Sequence, residues 1–191
     1  MTTPVRLVAA AVCLLMALAG TALWLDRAAP AEPQSADKSA TAAREIAASP
    51  GAIYSAKFID LQGSSQTLGQ WERKLLVMNF WATWCGPCKE EIPILTKLQN
   101  KFGERGVQFI GIAADSAANV ANFSKNVATN YPLLIDETGA IAFSKRLGNR
   151  LGLLPHTVVL IPGGEVIYNK LGAITESELD GIIAKNLPKT H

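Results

Sequence analysis

Residues 75–81 read Leu-Leu-Val-Met-Asn-Phe-Trp, and four positions after Trp81 comes Cys85-Gly86-Pro87-Cys88. A strand apolar at successive positions has no solvent face, so it must lie inside a sheet covered on both sides. A helix should follow from Cys85 to about Phe102. Gly86-Pro87 signals its start, and Gly103 its end. Together, a buried strand feeding a helix across two thiols predicts an α/β domain.

The pattern around this unit fills in the domain. Residues 54–68 alternate, turn at Gln62-Gly63 and resume, which predicts a small hairpin. Residues 107–114 read as a second buried strand and 119–128 as a helix with Val120, Phe123 and Val127 on one face. A short strand at 131–136, a short helix at 139–148, a hairpin across Pro162-Gly163-Gly164 and a helix at 176–187 complete it. Leu179, Ile182, Ile183 and Leu187 give that last helix one apolar stripe. Strands alternating with helices, then a hairpin and a helix, predict a mixed sheet. Phe80 and Trp81 read as core, and Trp71 as a packing or edge residue.

The start of the chain has another character. Leu7 to Leu25 carries no charge and, as a helix, would span roughly 28 Å, close to the hydrocarbon thickness of a bilayer. Arg6 and the terminal amine precede it, so residues 1–25 are expected to be a signal anchor with the rest of the chain outside the cytoplasm. Ala17-Leu18-Ala19 resembles a signal-peptidase motif, but apolar residues continue past Gly20 through Trp24 and Leu25, which favours an uncleaved anchor. Cys13 then serves as a small apolar residue in lipid. Residues 26–50, rich in Ala, Pro and Ser, read as a flexible linker, with a short helix near Ala42–Ala48, and residues 51–191 as the domain. With Lys+Arg 18 against Asp+Glu 16 and no basic run, a nucleic-acid partner is not expected.

Outside the cytoplasm a Cys-x-x-Cys pair can be a structural bridge, half a metal site or a redox couple. A bridge closing so short a loop adds little stability. Zinc needs three or four protein ligands, and the only histidines are His156 and His191. Placement favours redox chemistry. Cys85 would sit on the positive end of a helix, where backbone N–H groups stabilise a thiolate. Cys88, one turn on, could resolve a mixed disulfide.

Trp84-Cys85-Gly86-Pro87-Cys88 matches the thioredoxin motif, and residues 79–93 more closely resemble membrane-anchored, extracytoplasmic thioredoxin-like proteins of the TlpA, ResA and CcmG type. The similarity runs from about Ile53 to Leu187, through Gly106–Asp115 and Gly152–Ile161. It includes a segment at 119–136 where this family carries a central insertion. The resemblance implies a thioredoxin fold with an N-terminal hairpin and that insertion, no cofactor, and these roles. Cys85 attacks and Cys88 resolves. Trp84 borders the thiol. Pro155 is the cis-proline facing the disulfide, and Leu154 offers its backbone to an extended substrate. Where thioredoxins keep a buried Asp, this chain has Asn79, which cannot take a proton. Glu91, three residues after Cys88, falls on the same helix face and would accept the Cys88 proton, while adjacent Glu90 reads as solvated. His156 reads as packing.

The function so implied is reduction of disulfides in envelope proteins, such as apocytochrome c or a metal-centre assembly protein. Electrons would come from a membrane donor of the DsbD or CcdA kind. The expected location is the bacterial inner membrane, single-pass, with the domain on the periplasmic side. Two rivals stand beside it: a disulfide-forming oxidant, and a non-enzymatic copper- or zinc-binding module. Gly86-Pro87, unlike the dipeptide of many cytochrome-maturation members, leaves the substrate open.

Overall fold

A computed structural model describes residues 49–187. The expected anchor, cleavage motif, Cys13 and the helix near Ala42–Ala48 lie outside the described residues. Among the described residues no helix is long and apolar enough to cross a membrane.

The elements in chain order are α1 (Pro50–Tyr54), β1 (Lys57–Asp60), β2 (Ser65–Thr67), β3 (Leu75–Trp81), α2 (Gly86–Phe102) and β4 (Val107–Ala113). Then come α3 (Ala117–Ser124), β5 (Leu133–Ile135), α4 (Ala140–Arg146), β6 (His156–Leu160), β7 (Val166–Leu171) and α5 (Glu176–Lys185). The strands form one sheet in the order β2-β1-β5-β4-β3-β6-β7. β3, β4 and β5 are parallel, while β6 and β7 return antiparallel on one side and β1 and β2 on the other. The segment between β4 and β6 supplies α3, β5 and α4. β5 widens the sheet by one parallel strand, onto which the N-terminal hairpin docks through Ile59 and Asp60.

β3 is buried at all seven positions, so both faces of the sheet are covered. Side chains alternate along a strand. Leu75, Val77 and Trp81 point to one face, with Ile92, Leu95, Leu98 and Phe102 of α2 and Leu179 and Ile183 of α5. Leu76, Met78 and Phe80 point to the other, with Ile53, Ala140 and Phe143. Asn79, by parity, belongs to the α2 face.

Tyr54 closes a helical turn rather than opening a strand, and the hairpin begins at Lys57. The turn forms because Pro50 suits a first helical position and Ile53 reaches the core, fully buried. The helix after β4 is Ala117–Ser124, earlier and shorter than residues 119–128, because Ser116 caps it by accepting from the Asn119 N–H at 3.2 Å. At the β6–β7 turn Gly164 has φ +89°, and a Cβ there would lie 2.8 Å from Pro50 Cβ. Glycine is required at that turn both for its dihedral and for the seat of α1.

Candidate active site

Cys85 is the N-cap of α2, and its Sγ accepts from the Cys88 N–H at 3.3 Å. The two cysteines are joined in a disulfide. Cys85 retains 6% exposure and Cys88 none, so the first sulfur is the one an incoming group can reach. Trp84, beside it, is 69% exposed, a large apolar surface left in water at the motif. The loop that presents Trp84 is pinned from the end of β4. Asp115 Oδ2 accepts from the Thr83 N–H at 2.9 Å and from the Thr83 hydroxyl at 2.5 Å. Its Oδ1 accepts from the Ser116 N–H at 2.8 Å and from Asn119 Nδ2 at 2.7 Å. Burial pushes the Asp115 carboxyl up, but these hydrogen bonds outweigh it and hold the group below the usual carboxylate range.

Glu91, three residues after Cys88, lies on the buried stripe of α2 that also carries that cysteine, and is 1% exposed. Its Oε2 accepts from Asn79 Nδ2 at 3.0 Å, and its Oε1 accepts from the Ile174 N–H. Asn79 Nδ2 also donates to Thr157 Oγ1 at 3.1 Å. Register explains the cluster. Thr157 pairs with Asn79 across β3–β6 and with Lys170 across β6–β7. These three residues therefore form one polar row on the α2 face, and Glu91 closes over it. Burial raises the Glu91 pKa to about 7, against the lowering by the Ile174 N–H, the Asn79 amide and the Lys170 charge. Such a carboxyl exchanges a proton near neutral pH, which an ordinary glutamate does not. Glu90, on the same helix, is exposed.

The Leu154–Pro155 peptide bond is cis. His156 opens β6 opposite Phe80, at the end of the sheet where β3 delivers the motif. Leu154 packs against the core cluster that holds Cys85 and Cys88. His156, buried on the opposite face, stacks on Phe80 with ring centroids 5.4 Å apart. It does not face the disulfide. The structure thus brings Cys85, Cys88, Glu91, Trp84, Leu154 and Pro155 to one end of the sheet.

Asn79 is singled out by sequence only as a missing acid. In the structure it is the donor that orders Glu91. Thr157, Asp115 and the Ile174 N–H have no sequence signature of their own, although the parity of Asn79 within its apolar run does point it towards α2. Among the described residues no three His, Cys, Asp or Glu side chains converge as metal ligands.

A sequence profile of the Redoxin family matches residues 37–183. The thiol-disulfide oxidoreductase ResA of Bacillus cereus is 33% identical over 131 residues, 68% of this chain and 73% of that protein. The crystal structure of a thiol:disulfide interchange protein of the thioredoxin family from Chlorobium tepidum superposes with a TM-score of 0.63 at 27% identity, covering 71% of this chain and 95% of that one. A second Chlorobium tepidum structure, titled a putative DsbE, shares the fold at the same TM-score and 20% identity, over 70% of this chain and 93% of that one.

Proposed function

The chain belongs to the Redoxin family and is a thiol-disulfide oxidoreductase of the ResA type, and from that premise we propose that it reduces disulfides in proteins outside the cytoplasm. The reduced Cys85 thiolate attacks one sulfur of a substrate disulfide. A mixed disulfide forms and the other substrate sulfur leaves, taking up a proton. Cys88 gives its proton to the Glu91 carboxylate and attacks Cys85 Sγ. The second substrate thiolate departs, and the Cys85–Cys88 disulfide remains. Two electrons have passed from the pair to the substrate. Trp84 and the backbone of Leu154 beside Pro155 receive an extended segment of substrate.

One observation carries the mechanism. A buried carboxyl with a pKa of about 7 shares the buried face of α2 with Cys88. It is ionised often enough at neutral pH to take a proton and protonated often enough to return one. The uncharged run Leu7–Leu25 behind Arg6 supports an anchor in the inner membrane with the domain on the periplasmic side. There, a membrane donor of the DsbD or CcdA kind would recharge the pair. Tethering raises the domain's local concentration near such a donor. Envelope proteins such as apocytochrome c or a metal-centre assembly protein are the substrates this reading favours.

The direction of flow is set by the reduction potential, measured by equilibrating the Cys85–Cys88 pair against glutathione or dithiothreitol. A value near that of thioredoxin, about −270 mV, or below is expected. A value near about −120 mV, the potential of DsbA, would make the protein an oxidant and sink the proposal.

A further inference from the structure

The loop from α4 to β6 contains a buried side chain that the thiol chemistry does not use. Asn149 is 1% exposed, although its loop neighbours Leu151 and Leu153 are 72% and 54% exposed. Its Nδ2 donates to the Leu153 carbonyl oxygen at 2.7 Å, and its Oδ1 accepts from the Leu153 N–H at 3.1 Å. Both backbone groups of Leu153 thus close on one side chain, much as they would on a neighbouring strand.

Asn149 is itself held. Its Nδ2 also donates to Ser144 Oγ at 2.9 Å, and the Ser144 hydroxyl lies 2.8 Å from His156 Nδ1. His156 Nε2 lies 3.0 Å from Asn169 Oδ1, while Asn169 Nδ2 donates to the Leu147 carbonyl. That last bond fixes which end of the Asn169 amide faces the ring. Nε2 of His156 therefore carries a proton, and because burial pushes the imidazole pKa down the ring is neutral and Ser144 donates to Nδ1. Every donor in the chain points the same way. The loop also presses on α4, since a Cβ at Gly152 (φ +67°) would lie 2.9 Å from Lys145 Cε and 3.1 Å from Ile141 Cγ2.

We propose that Asn149 is a positioning residue for substrate, holding both backbone groups of Leu153 in place so that Leu154 presents a fixed backbone edge to a polypeptide disulfide. This rests on the reading of Leu154 and Pro155 given above. A loop residue ordered before binding spares the complex a loss of about tenfold in affinity. A small disulfide, which engages only the thiol, gains nothing from that edge.

The test uses the full-length protein, reduced, with two oxidants. One is 5,5′-dithiobis(2-nitrobenzoate). The other is an extended peptide holding a Cys-x-x-Cys disulfide. In Asn149→Ala, kcat/KM for the peptide should fall about tenfold further than for the small disulfide, chiefly through KM. Ser144→Ala keeps both Leu153 bonds, so the gap between the two oxidants should stay under about threefold. Equal losses with both oxidants in Asn149→Ala, or none, overturn the proposal. Hydrogen exchange of the wild-type Leu153 amide provides a check free of any folding defect. Protection comparable to a strand amide supports the proposal, and exchange at the rate of an unstructured loop overturns it. A wild-type protein whose rate advantage over dithiothreitol is no greater for the peptide than for the small disulfide refutes the Leu154 reading itself, whatever Asn149 does.

Discussion

Replacing Glu91 by glutamine tests the proton acceptor without changing its shape. Glu91 has an ordinary pKa of 4.5 and is raised to about 7 in the folded chain, chiefly by burial. Ionising it is therefore harder in the folded than in the unfolded chain by roughly 3 kcal/mol. The sign follows from proton binding. Between the two values the folded state holds more proton than the unfolded state. The stability this confers is complete below pH 4.5 and lost as the pH rises through about 7. The E91Q protein has no such loss. The carbonyl of the new amide can keep the Ile174 N–H, while its NH2 group meets the Asn79 donor, which must turn its Oδ1 inward, with the Thr157 hydroxyl reversing to donate to it. That cost does not depend on pH, so it cancels when the two proteins are compared across pH.

Urea unfolding of the oxidised wild-type and E91Q proteins from pH 4.5 to 8 supplies the comparison, since the intact disulfide keeps the cysteines from titrating. The stability of E91Q relative to wild type should climb by roughly 3 kcal/mol across that range. A difference flat to within about 0.5 kcal/mol would refute the reasoning, because the carboxyl would then titrate as if exposed. In the reduced enzyme, resolution of a mixed disulfide should accelerate with a midpoint near pH 7 in wild type, and E91Q should lose that midpoint.

Two further substitutions probe the surroundings. Asn79→Asp would place a second carboxyl where an amide now lies 3.0 Å from Glu91 Oε2. One of the pair should hold its proton well above pH 7, moving the midpoint of mixed-disulfide resolution up by at least about one pH unit in a stopped-flow profile. Asp115→Ala removes the acceptor for Thr83, Ser116 and Asn119. It should destabilise the protein by about 2–4 kcal/mol in urea titrations, with the Thr83 and Ser116 N–H groups left wanting partners.

What is legible in the sequence divides by distance along the chain. Cys85, Cys88 and Glu91 lie on one helix, where spacing alone decides which face a residue takes. The buried strand and its helix are legible for the same reason. The row Asn79–Thr157–Lys170 is not, because it depends on the register of β6 against both neighbours, and no local pattern sets that. Ile174 contributes a backbone N–H, which any residue type could supply. Asn149 looks like an ordinary loop asparagine until the fold returns Leu153 to it. Tyr54 reads as strand because aromatic residues favour strands, but the pull of Ile53 into the core wins instead.

The seat of Pro50 on Gly164 fixes where the chain enters the domain. β6 runs from the disulfide end of the sheet to the β6–β7 turn, five residues or roughly 17 Å, and α1 rests against that turn. Residue 49 therefore joins the domain at the pole opposite the thiols. On the tethered reading proposed above, the attachment would lie at the back of the domain. The pole that carries Cys85 and Trp84 stays clear of residue 49, so a connection through that residue takes none of the surface around the thiols.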